Sequence, residues 1–423
     1  MTTAGFTDSA DRYALANELH ARPFPSINSG GHAVCLALRS VDSSPATRDA
    51  EFKHLVELLD RYGAPHPPKG ASHYWGTLGR NRLKWERHSE FLTYSLFSDD
   101  TTVDPFCMSL DVFPQNWRES APGQIVTAPM VHLVKSEDVD IGLVEAHLDK
   151  ESLAIASVLD DDAYAASDFR IDGQGFVRFL VFANPATGPQ RVGRIVQRLF
   201  EIETYRAMSM LSLPAARAVG GDLARLGPEL SGVVAGFADD TDDHDASLNK
   251  LLKISAHLEN LTAQNTARFS AAEAYSAIVN QRISVLRETR FKGRQTFAEF
   301  MMRRYEPAIR TCASTADRLA AMTAQTARAG DMLRTRTDVA RAEQNQDILA
   351  RMDERAAQQL NLQKTVEGLS VVAVSYYAVN LVAYLLAPFA GTLGLSKVLL
   401  TGLITLPVVL LVWLVIRRIR NHL

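Results

Sequence analysis

Leu369 to Ala390 reads LSVVAVSYYAVNLVAYLLAPFA, and Val398 to Ile416 reads VLLTGLITLPVVLLVWLVI. Neither run carries a charge, and each reaches the ~20 residues that cross a hydrocarbon core at 1.5 Å per residue. They predict a transmembrane hairpin, with one helix over 369–390, a second over 398–416, and a basic tail over 417–423. Arg417, Arg418 and Arg420 follow the second span, Arg351, Arg355 and Lys364 precede the first, and Lys397 is alone in the connection. An excess of Lys and Arg marks the cytoplasmic side, so both termini are expected in the cytoplasm. The opening residues, MTTAGFTDSADRYALANELH, lack a basic region followed by an apolar core and do not read as a signal peptide.

Upstream of the hairpin the chain changes character twice. Residues 245–368 read as a helical stalk, with almost no strand signal over 246–289 and 295–368. Asp245 is placed to cap its first helix, ahead of Leu248, Leu251, Leu252, Leu258 and Leu261. Gly293 suggests the turn of a helical hairpin, and Pro307 and Gly330 are the other punctuation. Leu349, Met352, Ala356, Leu360, Gln363 and Val366 keep steps of three and four into the first span, a coiled-coil-like pattern that predicts one helix running into lipid.

Residues 1–238 mix helix and strand signals, separated from the stalk by the acidic patch Asp239, Asp240, Asp242 and Asp243. A short helix is expected over 12–22, halted by Pro23 and Pro25, then a buried strand over 33–38 and an amphipathic helix over 46–62. Two strands with a turn near His88 and Ser89 follow over 82–97, and a further extended run covers 124–134. Asp172-Gly173 marks a hairpin between 169–171 and 176–182. From Gln190 the stripe Val192, Ile195, Val196, Leu199 and Ile202 predicts a helix that ends or kinks at Pro214. The fold class is therefore α+β: a mixed α/β domain, a helical stalk and a two-helix transmembrane hairpin.

The net charge of −3 excludes a globally basic nucleic-acid binder. Cys35, Cys107 and Cys312 are widely spaced, which fits a reducing compartment and gives no C-x-x-C site. Phosphate-loop, dinucleotide, zinc-protease and nucleophile-elbow motifs are all missing from the sequence, so neither a cofactor nor a catalytic role is assigned. His66 with His73, and the run Asp160 to Asp162, lack the spacing of metal ligands and read as loops.

Two charged clusters stand out. Asn17, Glu18, His20 and Arg22 share a helix beside a proline-fixed exit. Arg82, Trp85, Glu86, Arg87, His88 and Glu90 form the second, where strand alternation sends Trp85 and Arg87 to one face and Glu86 and His88 to the other. Together they read as a polar site or as ion pairs tying the N-terminal helix to the sheet. Glu201, Glu203, Tyr205 and Arg206 read as helix anchors. Within the first span Ser370, Tyr377, Asn380 and Tyr384 form a polar stripe, as Thr401 and Thr405 do in the second. Such side chains face protein or water, by helix packing or by lining a pore.

The strings RYALANELHARPFP (12–25), LKWERHSEFLTYS (83–95), FRIDGQGFVRFLVF (169–182) and QRLFEIETYRAMSMLSLPAAR (197–217) resemble a family of uncharacterised bacterial membrane-anchored proteins containing a domain of unknown function. That resemblance implies an inner-membrane protein of proteobacterial type and no activity. The layout also resembles the CorA-type magnesium channels, which assemble as a ring with the first span lining the pore. The Gly-Met-Asn signature of those channels is replaced by Tyr384-Leu385-Leu386-Ala387-Pro388-Phe389, and the connecting loop is cationic. The expected role is a non-enzymatic inner-membrane scaffold or sensor that self-associates and takes an unidentified protein or small ligand, the alternative being a divergent CorA-like channel or transporter.

Overall fold

The structure is a computed structural model that describes residues 2–3, 6–13, 16, 24–40, 42, 44–101, 104–236, 244–389 and 396–420. The chain divides into two compact units, Met1–Ala329 and Gly330–Leu423. In chain order the described elements are β1 (Thr2–Thr3), β2 (Phe6–Thr7), β3 (His32–Ser40), α1 (Pro45–Arg61), β4 (His73–Leu78), β5 (Asn81–Arg87) and β6 (Phe91–Ser98). There follow α2 (Gln115–Glu119), β7 (Gly123–Thr127), β8 (Pro129–Lys135), α3 (Ile141–His147), β9 (Ala154–Val158), β10 (Ala163–Ile171) and β11 (Val177–Ala183). The helical part comprises α4 (Pro189–Met210), α5 (Ser212–Gly236), α6 (His244–Leu286), the short β12 (Thr289–Arg290), α7 (Phe297–Arg304), α8 (Glu306–Leu386) and α9 (Lys397–Arg420).

Ten strands form one sheet in the order β12-β9-β10-β11-β8-β3-β6-β5-β4, with β7 also paired to β3. Its one parallel pair among the described strands is β11 with β8. Both faces are covered, which is why β3 reads as an unbroken apolar run. Ala33 and Cys35 turn toward Val192, Ile195, Val196 and Leu199 of α4. Val34, Leu36 and Leu38 turn the other way, toward Leu55, Leu58 and Leu59 of α1. Those three leucines are fully buried, and each contributes about 2 kcal/mol of apolar transfer free energy. The Ser44 hydroxyl caps α1, accepting from Thr47 N at 3.2 Å, with Pro45 preset for the first turn.

The expected strand over 33–38, helix over 46–62, strand pair over 82–97 and α4 stripe are present. The hairpin at Asp172 is also present, with a longer turn than a two-residue loop. Asp172 Oδ1 accepts from Gln174 N and Phe176 N, and Gly175 rather than Gly173 takes the positive φ of 93°. Pro214 neither ends nor kinks a helix. It sits in the first turn of α5, where a proline loses no hydrogen bond, and the break falls before it, between Met210 and Ser212. Asp245 lies inside α6, which begins at His244, instead of capping it. The acidic patch 239–243 is outside the described residues.

The connection at Gly293 is not a bare helical turn. Thr289 and Arg290 pair with Ser157 and Ala156, adding β12 to the sheet edge through β9. The α6 helix packs along α4, and Val279, Ile283 and Leu286 join the core beneath it. Helices α6 and α7 thus belong to the same compact unit as the sheet.

In the second unit, α8 runs to Leu386 and α9 covers Lys397–Arg420. Two helices, α8 and the 398–419 portion of α9, are long and apolar enough to cross a membrane. Their apolar side chains are largely exposed, as at Leu381 (63%) and Leu406 (80%).

Candidate functional site

Residues 24–28 run across the start of α4, with Ile27 N donating to Pro189 O at 3.1 Å. Contact is this close because position 193 is glycine. A Cβ there would lie 1.8 Å from Pro25 O. The segment brings Phe24, half exposed, to the mouth of a cavity of about 230 Å³ enclosed by β3, β5, β6, α4 and α6. Phe91, Phe97 and Phe200 join Phe24 in giving it apolar surface, and most of the other lining side chains are polar.

One hydrogen-bonded chain of charges lines this cavity. Alternation along β5 puts Lys84 and Glu86 on the same face, with Nζ 3.1 Å from Oε2. Lys84 is only 4% exposed. Its Nζ also donates to Gln197 Oε1 on α4 at 3.1 Å. One helical turn on, Gln197 Nε2 donates to Glu201 Oε1 at 2.8 Å, and Glu201 pairs with Arg282 of α6. Among the described residues, two cations and two carboxylates therefore alternate along the wall, bridged by one amide. Buried charges require this kind of pairing, because desolvation of an isolated ion is prohibitive.

The other groups at the cavity are subdued. Burial pushes the Cys35 thiol up to about 12, so it is no ready nucleophile. Burial, with Glu201 and Glu86 nearby, pushes the Tyr205 phenol up to about 12, leaving it a neutral hydroxyl. His88 stacks on Phe91 with ring centroids 4.2 Å apart and meets Tyr205 edge-on at 6.2 Å.

The strand cluster read from the sequence divides across the sheet. Glu86 and His88 line the cavity. Trp85 is fully buried on the opposite face with Tyr74 and Tyr94, and Arg87 reaches back over its ring. Arg82 bonds Asp99 at 2.6 Å and also donates to Ser26 O, holding the segment that carries Phe24. Asn17, Glu18, His20 and Arg22 lie outside the described residues.

The third cluster divides as well: Glu201 and Tyr205 face the cavity. Glu203, fully buried, is held bidentately by Arg206 at 2.6 and 2.8 Å and accepts from Thr127 of β7 at 2.8 Å. That is a helix anchor.

Elsewhere the candidates find other partners. His66 bonds Asp60 at 2.7 Å, and His73 begins β4. Asp160 pairs with Arg287, Asp161 with Ser157, and Asp162 with Arg191. Among the described residues no group of three or more His, Cys, Asp or Glu could hold a metal ion. In the first apolar segment Ser370 Oγ donates back to Val366 O at 2.8 Å. Tyr377 and Tyr384 are exposed and Asn380 is half-buried, whereas Ser375 and Val379 are buried.

Sequence reading missed Lys84, Gln197, Arg282 and Cys35 as cavity residues. Lys84 carried a signal, since it alternates in step with Glu86, and Gln197–Glu201 have the i, i+4 spacing of a helical pair. Arg282 carried none, because its place depends on how α6 packs along α4.

No curated protein matches the chain. A family model described as "Protein of unknown function (DUF3422)" matches residues 7–423, and the chain belongs to that family.

Proposed function

We propose that this protein is a membrane-anchored, non-enzymatic sensor or scaffold whose cavity over β5, α4 and α6 takes a small polar ligand. The observation that carries this reading is Lys84, a buried cation on a cavity wall, tied into the relay that ends at Arg282. A fold needing only stability is served as well or better by apolar residues at such positions. With the Cys35 thiol and Tyr205 phenol held protonated, the wall offers donors and acceptors in place of a nucleophile.

The anchor is the pair of apolar segments ending α8 and forming α9, in the inner membrane with both termini cytoplasmic. The arginines after the second segment support that orientation. Leu349, Met352, Leu360 and Val366 repeat at helical spacing on α8 and are all 57% exposed or more. This stripe supports self-association of helices from several copies.

The test is thermal unfolding of the full chain in detergent against a library of small polar metabolites. A compound that raises the midpoint in the wild type and not in Glu86→Gln supports the reading. If no compound does so, the sensor reading fails. The second reading, a divergent CorA-like channel, draws on the continuity of α8 from Glu306 to Leu386. It requires ion flux in liposomes that falls on Asn380→Leu, and an oligomer larger than a dimer.

A further inference from the structure

The balance of charge on the cavity wall narrows the ligand further, given the reading of this cavity as a binding site. Lys84 and Arg282 are cations, Glu86 and Glu201 anions, and all four line the same space of about 230 Å³. A purely anionic ligand gains from the cations and is repelled by the carboxylates, and a purely cationic one suffers the reverse. A ligand carrying both charges can meet both kinds of group at once, and complementarity of this sort sets selectivity.

Four further observations bear on it. An ammonium group has three donors, and Lys84 directs two of them to Glu86 and Gln197, leaving one. Glu86 and Glu201 come from different elements, β5 and α4, and both line the same cavity. Phe91, Phe97 and Phe200, with Phe24 at the mouth, supply an apolar surface beside the charges. The volume falls below the ~300–1,000 Å³ usual for ligand sites, which limits the occupant to a small metabolite.

We propose that the cavity binds a free α-amino acid with an apolar side chain. Its ammonium group meets Glu86 and Glu201, its carboxylate meets Lys84 and Arg282, and its side chain lies against the phenylalanines. Tyr205, a neutral hydroxyl, is available to either end.

The experiment is titration calorimetry on the full chain in detergent micelles. The twenty natural amino acids are the probes, each apolar one tested beside its methyl ester, a cation, and its N-acetyl derivative, an anion. The expected result is binding of at least one apolar amino acid, weakened about tenfold or more by either modification, as loss of a charge-assisted contact requires. Two variants locate it. Glu201→Gln removes one carboxylate and should weaken binding about tenfold or more, and Ser95→Leu fills the cavity from β6 without touching the charges and should abolish it. If no amino acid binds, or if the ester or N-acetyl form binds as well as the parent, the proposal is overturned. A neutral metabolite that binds and is lost in Ser95→Leu would overturn the zwitterion while leaving the cavity as a binding site.

Discussion

Lys84 Nζ donates to Gln197 Oε1 at 3.1 Å, crossing from β5, one strand in from the sheet edge, to helix α4. The same nitrogen pairs with Glu86, so one buried ammonium joins the strand's own carboxylate to the relay on α4. Chains of hydrogen bonds in a low-dielectric interior polarise one another, and the loss of one member is felt along the rest.

Lys84→Met should therefore destabilise the first unit by about 2–4 kcal/mol, because the mostly buried Glu86 would lose the ion pair that Lys84 supplies and Gln197 would lose its donor. Replacing both, as Lys84→Met with Glu86→Leu, should recover most of the loss. Urea unfolding of the full chain in detergent measures both variants. If the single and double variants lose equally, the pair does not act as a unit.

Gly193 and Gly221 make a matched contrast. At Gly193 of α4 a Cβ would strike Pro25 O, whereas at Gly221 of α5 nothing lies within 4 Å. Gly193→Ala should cost about 1–3 kcal/mol by overpacking and should loosen residues 24–28, which limited proteolysis would report as earlier cutting there. Gly221→Ala should raise stability by about 0.5–1 kcal/mol, since glycine is a poor helix former. Equal effects at the two sites would mean that the segment bearing Phe24 is not held by α4.

These contrasts explain what could be read from the sequence. Local periodicity reveals elements that bury one stripe, so α1 and α4 were legible from Leu55, Leu59, Val192 and Leu199. Strands β4 and β9 were not, because Gly76 interrupts the former and the small residues Ala154, Ala156 and Ser157 blunt the pattern of the latter. β12 is two residues long and is defined only by its pairing with Ser157 and Ala156. The site followed the same rule. Glu86 and His88 were legible from alternation on one strand, whereas their union with Glu201 and Arg282 depends on three elements packing together.

The His32–His132 pair predicts a pH response. Their Nδ1 atoms lie 3.1 Å apart on paired strands, so one ring donates and the other accepts. Burial first, then His32 and His147, lowers His132 from the ordinary 6.5 to about 4. The folded state thus takes up a proton less readily than the unfolded chain. Its stability is retained above about pH 6.5 and lost as pH falls toward about 4. The melting midpoint should drop across that window, and His132→Gln should flatten part of the drop. An identical pH profile in the variant would remove His132 from the account.

The membrane reading makes the last prediction. Leu381 of α8 and Leu406 of α9 are 63% and 80% exposed, and each lies within an apolar segment. If lipid surrounds them, each lysine introduced there costs about 2.5–3.5 kcal/mol of insertion free energy near the helix centre. The double variant Leu381→Lys with Leu406→Lys should then be extracted from membranes by alkaline carbonate, while the wild-type chain stays in the pellet. Leu349, 61% exposed and upstream in the same helix, serves as the control. If Leu349 faces water or another copy of the chain, Leu349→Lys should leave the membrane fraction unchanged. Should the double variant stay as firmly in the pellet as the wild type, these apolar faces are not covered by lipid and must be covered by protein.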